Sequence, residues 1–372
     1  MSVKDLEATD LSETGQEAHR VMTICNACRY CEGFCAVFPA MALRRDFEKQ
    51  DLDYLANLCH NCNACYHACQ YAPPHEFAVN VPKTFATLRA ETYAEYAWPR
   101  PMAKLFERNG LVMSMVTALS ITLVMLLVFA LQSSEVLFGE HIGPGAFYQV
   151  ISHNLMVAVA GSVFLYSILA MAIGFVRFWR AGHRAKPAPI VHPIFDAIAD
   201  AASLKYLGGG HGEGCNTEDE SFSNQRRWFH QFTMWGFILC FAATSVATLY
   251  DYLLGLPAPY PFFSLPVMLG TIGGIGLLIG PVGLFWIKLK SDPVPLQQQQ
   301  FGMDYGFIAL LFFTSFTGLV LLALRETSMM GTLLALHLGF VLALFLVLPY
   351  SKFVHAVYRF AALMRFSLER SD

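Results

Sequence analysis

Eight cysteines hold the chemistry that this chain can do. Cys25, Cys28, Cys31 and Cys35 are spaced C-x2-C-x2-C-x3-C, and Cys59, Cys62, Cys65 and Cys69 repeat that spacing. Pro39 and Pro73 follow the two runs at the same offset. Runs of this kind bind [4Fe–4S] clusters, and where two occur the fourth cysteine of each ligates the other cluster. Three thiolates close in sequence can wrap one face of a cube, whereas the fourth corner needs a ligand from elsewhere. The expected sets are Cys25, Cys28, Cys31 and Cys69 on one cluster, and Cys59, Cys62, Cys65 and Cys35 on the other. Two such centres imply that single electrons move through this part of the chain.

Zinc is the plainer use of clustered cysteines, but zinc ribbons space their ligands as two separated C-x2-C pairs. Disulfides do not suit a chain without a secretory signal, and residues 1–20 carry five acidic side chains and no apolar core. The cluster region is therefore expected in the cytoplasm. The remaining cysteines, Cys215 and Cys240, have no second cysteine at ligand spacing and are read as bystanders.

The elements that must position these residues divide the chain in two. The 372 residues are 55% hydrophobic and 14% charged, well short of the charge of an ordinary globular chain. This marks a lipid bilayer as a partner, and a net charge of −3 gives no reason to expect nucleic acid. Residues 1–20 read as a mobile acidic tail and 21–90 as the cluster domain. Within it, Leu43, Phe47, Leu52, Leu55 and Leu58 recur at helical intervals, so Met41 to Leu58 predicts helix and the domain an all-helical ferredoxin-like fold.

Residues 91–110 form a juxtamembrane linker. Six apolar stretches follow, at about 111–131, 151–176, 232–252, 265–287, 305–324 and 331–350, each near the ~20 residues needed to cross a bilayer as helix. They make up a membrane domain over 111–360, and 361–372 are a tail. The fold class is all-α. Residues 132–150 and 253–264 contain no Lys or Arg, whereas 177–229 hold seven. The positive-inside rule then places both termini in the cytoplasm and the protein in the inner membrane.

Four of the twelve histidines stand apart. His337 lies inside the sixth stretch, and His355 follows by 18 residues, or five turns and roughly 27 Å of helix. Provided the helix continues through Pro349, both imidazoles share one face, near opposite sides of the membrane. His153 starts the second stretch at the outer depth and His230 the third at the inner depth. Paired by depth, His153 with His337 and His230 with His355 are the expected iron ligands of b-type haem, with two haems stacked across the membrane and one remaining possible. Ionisable residues inside a membrane are expensive and mark functional sites. Arg226 and Arg227 fit either haem propionates or the positive-inside rule. His60 and His67 lie beside the cysteines but are read as packing residues, and the other loop histidines are given no role.

With the doubled cysteine run ahead of six helices, RRWFHQFTMWGF at 226–237 and LPYSKFVHAVYRF at 348–360, the chain resembles the tricarballylate/citrate-utilisation protein B family over residues 20–365. The second stretch is also similar to the end of the haem-bearing subunit of respiratory nitrate reductases, where two ligand histidines share one helix. The resemblance implies an FAD-containing dehydrogenase partner that oxidises tricarballylate, with this subunit passing electrons from the reduced flavin through the clusters and haem to quinone. Such a subunit needs no organic-substrate site and no catalytic residue of its own, and no G-x-G-x-x-G fingerprint suited to a dinucleotide is present. Two other readings compete. A catalytic subunit of the heterodisulfide-reductase kind would carry further cysteine motifs, and no Cys-Cys pair occurs here. A membrane ferredoxin serving cofactor assembly would need the clusters but no paired histidines.

Overall fold

Helix periodicity between the cysteine runs becomes two helices rather than one. The computed structural model describes residues 11–182, 191–209 and 212–371. In it, α1 (Glu13–Cys28), α2 (Val37–Ala42), α3 (Lys49–Leu58), α4 (Ala64–His67) and α5 (Val81–Tyr96) build the N-terminal domain. The chain turns between α2 and α3, where the Asp46 carboxylate accepts from the Phe47 amide at 2.9 Å. Local side-chain bonds of this type compete with helix. The expected tail is shorter than residues 1–20. Ser12 caps α1 by accepting from Gly15 N at 3.1 Å and donates to Glu91 at 2.7 Å, so helix begins at Glu13. The first ten residues of that tail, with His183 and His211, lie outside the described residues.

Beyond a 3-10 turn at Arg100–Phe106, six helices are long and apolar enough to cross a membrane. These are α6 (Asn109–Leu131), α7 (His153–Ala181, with a π-turn at Val157–Gly161), α9 (Gln225–Leu254), α10 (Leu265–Lys290), α11 (Phe301–Leu324) and α12 (Met330–Val347). A shorter helix, α8 (Val191–Ala202), and a two-residue hairpin, β1 (Cys215–Asn216) with β2 (Phe222–Ser223), lie between α7 and α9. Their outward faces leave Leu119, Leu126 and Leu165 more than 60% exposed, a surface suited to lipid rather than water. This is a multi-pass membrane protein.

Glycine lets α9 and α10 approach closely. A Cβ on Gly273 would sit 2.8 Å from the Gly236 carbonyl oxygen, and one on Gly236 equally close to the Gly273 oxygen. Small residues let backbones touch where lipid offers no hydrophobic drive for association.

The sixth span does not continue to His355, which corrects the one-helix reading. Helix α12 ends at Val347, Leu348–Tyr350 form a 3-10 turn, Ser351 is extended, and α13 (Val354–Ser371) begins anew. Pro349 has no N–H to give the carbonyl four residues back. That carbonyl, Phe345 O, instead accepts from Ser167 Oγ of α7 at 2.5 Å. The Tyr350 hydroxyl fastens the turn by donating to Trp98 O at 2.9 Å. Asp304 of α11 pairs with Lys288 of α10 and, at 2.9 Å, with Lys352 of the turn.

From the turn, α13 leaves the bundle and enters the N-terminal core, where Ala362, Leu363 and Phe366 are buried with Phe38, Leu55 and Phe85. An ionic network locks it there. Arg44 contacts Asp51 and Glu369 at 2.6 Å each, and Arg365 contacts Glu369 at 3.1 Å. Both guanidiniums stack on the Tyr54 ring. Glu369→Ala removes one partner from a buried network and should cost about 3 kcal/mol, the low end for such a loss because Asp51 still faces both arginines. Hydrogen exchange over residues 354–371 should accelerate, with exchange in α10 unchanged.

Candidate functional site

The eight thiols ring two cavities. One is lined by Cys25, Cys28, Cys31 and Cys69 with Ile24, Tyr30, Phe38 and Tyr71. The other is lined by Cys35, Cys59, Cys62 and Cys65 with Phe34, His60 and Tyr206. Each cavity thus takes its fourth thiol from the other run. Left-handed backbone makes the wrapping possible. Arg29 ends α1 at φ 56° and donates to Cys25 O at 2.8 Å, turning the chain between Cys28 and Cys31. Asn61 and Asn63 stand at φ 57° and 64° on either side of Cys62, a conformation asparagine tolerates better than most residues.

The donor set suits a cluster. Burial pushes the Cys25 thiol up to about 12, helped by Cys31, Cys69 and Cys28, and burial with Cys69 and Cys28 does the same to Cys31. Thiols so held are costly to ionise unless a metal centre takes the charge. Among the described residues no three His, Cys, Asp or Glu side chains close on a single ion. The four thiols of each set line one cavity, the arrangement that a cluster of several irons requires.

The two cavities differ in exposure. Tyr30, over the first, is 66% exposed, whereas Cys59 and Cys62 of the second are buried. Three arginines grip the loop of the second. Arg89 of α5 donates to the carbonyls of Ala56 at 3.1 Å and Cys59 at 2.5 Å, and to Asn61 Oδ1 at 3.0 Å. Arg359 of α13 donates to Cys59 O at 2.9 Å. Arg226 of α9 donates to the carbonyls of Asn61 and His60. Arg227 instead donates to Ser203 O at 2.9 Å.

His60 has a larger place than its sequence context suggested. It lines the second cavity, and its Nδ1 meets Leu58 O at 2.9 Å. Burial first, then Arg359, Arg89 and His230, hold it well below the ordinary imidazole range, so it is neutral at physiological pH. Cys215, read as a bystander, is buried beside Cys62 and donates to Leu207 O at 3.0 Å, while Asn216 N donates to Cys62 O at 3.0 Å. The hairpin thus packs against Cys62, one of the residues lining the second cavity. No spacing rule connects Cys215 to a run 150 residues earlier, so only the fold could reveal it.

The histidines separate into one pair and two singles. His230 of α9 and His355 of α13 have ring centroids 6.0 Å apart at 87°. His355 Nδ1 faces Lys352 O, which leaves its Nε2 lone pair free. His230 Nδ1 is buried without a partner. Burial, Arg359 and His230 keep His355 far below the ordinary imidazole range, hence neutral. His153 Nε2 is instead committed to Asp251 Oδ2 at 2.9 Å, between the rings of Tyr148 and Tyr252. His337 Nδ1 meets Thr317 Oγ1 at 3.2 Å, and a Cβ on Gly318 would strike its ring at 2.8 Å. Among the described residues no ring contact joins His153 to His337.

Two family models match. The model for "Citrate utilization protein B" covers residues 105–372, and that for its Fer4-like domain covers residues 18–95. A curated Escherichia coli protein, "Citrate utilization protein B", is 53% identical over 365 residues, spanning 98% of this chain and 95% of the relative. No solved structure matches. An iron–sulfur, Fer4-like domain joined to a multi-pass membrane part, alike over nearly the full length, places the chain in the citrate utilization protein B family.

Proposed function

We propose that the protein carries electrons from a reduced flavoprotein in the cytoplasm to quinone in the inner membrane, with both of its own termini cytoplasmic. The carrying observation is a succession of three sites. All four thiols of the Cys25 set are partly exposed, two of the Cys59 set are buried, and the helices that carry His230 and His355 reach the Cys59 loop through Arg226 and Arg359. Groups bound at these sites, two [4Fe–4S] clusters and a b-type haem, supply the one-electron chemistry.

The residues do the rest. The four thiols of each set hold iron, and the exposed rim near Tyr30 receives the donor. His355, its Nδ1–H fixed on a carbonyl, keeps Nε2 free, and its ring neighbours that of His230. The two imidazoles, with ring centroids 6.0 Å apart on different helices, would hold the haem iron. The partner flavin gives up two electrons one at a time, and quinone takes them with two protons to become quinol. The donor, by family resemblance, oxidises a tricarboxylate. This chain then needs no organic-substrate pocket.

Reconstitution tests the reading. Proteoliposomes with the wild-type chain, the reduced flavoprotein and a quinone should form quinol, and omission of either protein should stop it. Purified protein lacking both iron–sulfur and haem spectra would overturn it.

A further inference from the structure

We propose that Arg89, Arg226 and Arg359 are positioning residues that raise the reduction potential of the inner cluster, at Cys35, Cys59, Cys62 and Cys65, above that of the outer one. This rests on the electron-carrier reading and adds a direction to it.

The placement of the arginines is the first argument. Arg226 precedes His230 by four residues on α9, and Arg359 follows His355 by four on α13. Residues four apart share one helix face. Each histidine helix therefore sends an arginine into the cysteine loop one turn from its histidine. Arg359 reaches the carbonyl of Cys59, and Arg226 those of His60 and Asn61. Arg89, 5% exposed, grips the same loop from α5.

Missing counter-charges are the second argument. Among the described residues none of the three has a carboxylate within ion-pair distance. The fold does supply carboxylates to buried arginines elsewhere, since Arg44 and Arg365 share Asp51 and Glu369. Arg359 Nε is buried with no partner at all. Positive charge is expensive to hold in this way unless an anion stands nearby. A cluster on four thiolates is such an anion, and it becomes more negative on taking an electron. Net charge, hydrogen bonding and exposure set cluster potentials. Here the three arginine charges favour the reduced inner centre and outweigh its burial, which by itself disfavours added negative charge, whereas Arg29, next to Tyr30 of the outer cavity, is exposed to solvent.

An electron arriving at the outer set therefore moves inward, and the arginines that set this gradient also hold the loop against both histidine helices.

The test is a redox titration of the anaerobically purified full chain, followed by electron paramagnetic resonance. Cys28→Ser first identifies the outer signal. Arg226→Gln, Arg359→Gln and Arg89→Gln should each move the inner midpoint to more negative potential and leave the outer midpoint in place. Arg359→Lys, which keeps the charge, should retain most of the wild-type inner midpoint. If a glutamine variant fails to load the inner cluster, the wild-type protein still decides the matter: an inner midpoint above the outer one supports the proposal, and one at or below it overturns it. Unmoved inner midpoints in all the glutamine variants, or equal shifts in both centres, also overturn it. Failure of the electron-carrier reading looks different, because the wild-type protein would then show no cluster signals.

Discussion

Protein in which Cys62 is replaced by serine should lose one of two iron–sulfur signals and about half of its cluster iron, roughly four of eight atoms per chain. Cys62 lines the second cavity and is buried against Leu204 and Leu207, so water has no ready access to replace the lost ligand. A serine hydroxyl there is a harder, far weaker donor to iron than a thiolate. The surviving signal should belong to the Cys25 set, whose only contribution from the second run is Cys69. Quinol formation in proteoliposomes should fall to background, because in the proposed path the inner centre is the step between the outer centre and the histidines. Cys215→Ser is the sharp control. Cys215 lies against Cys62, but its Sγ donates to Leu207 O and does not line the cavity, so this variant should keep all its iron. Full iron content in Cys62→Ser, with both signals present, would remove Cys62 from the ligand set.

His230→Ala and His355→Ala should each remove the b-type haem of this pair from the reduced-minus-oxidised spectrum while leaving both iron–sulfur signals in place. The two rings face one another edge to face, and each is held by a different helix, so neither can be replaced by its neighbour. His153→Ala should spare this spectrum, since its Nε2 is engaged by Asp251. His337→Ala is informative in another way. If the wild-type chain carries two haems, the His337 variant should lose one and the His355 variant the other. If it carries one, only the His230 and His355 variants should lose it. Retention of full haem in both of those variants would end the proposal for the pair.

Much of this arrangement was legible because it depends on local rules. Hydropathy alone marks the six spans, and the structure shifts their ends mainly by extending α7, α9 and α10 past the apolar stretch. There Arg177, Arg226, Lys288 and Lys290 continue the helix into a polar zone. The grouping of Cys35 with Cys59, Cys62 and Cys65 is likewise implicit in the spacing. What escaped the sequence depends on tertiary contact. The five-turn spacing of His337 and His355 is real in number but not in space, because Pro349 breaks the helix and Ser167, far away in sequence, satisfies the freed carbonyl. Arg226 read as a partner for propionates or a topology signal, and its hold on the loop around Asn61 was not visible from spacing. The pairing of Asp304 with Lys288 and Lys352 spans three elements that no periodicity connects.

The turn at Leu348–Tyr350 also bears on the order in which the protein can be made. A ribosome delivers residues 25–69 first, and their cysteines can gather long before the membrane helices exist. The second cavity's loop is nonetheless gripped by Arg226 and Arg359, and the N-terminal core is closed by Leu363 and Phe366. His355 and its carbonyl anchor arrive in the same late segment. The nascent chain therefore holds its iron–sulfur domain open, missing one wall, until nearly the last helix has left the tunnel. Closure of the iron–sulfur domain and of the histidine pair become late, linked events, and a stop codon between residues 351 and 354 would leave the six spans intact but remove His355, Arg359 and the α13 wall of the N-terminal core.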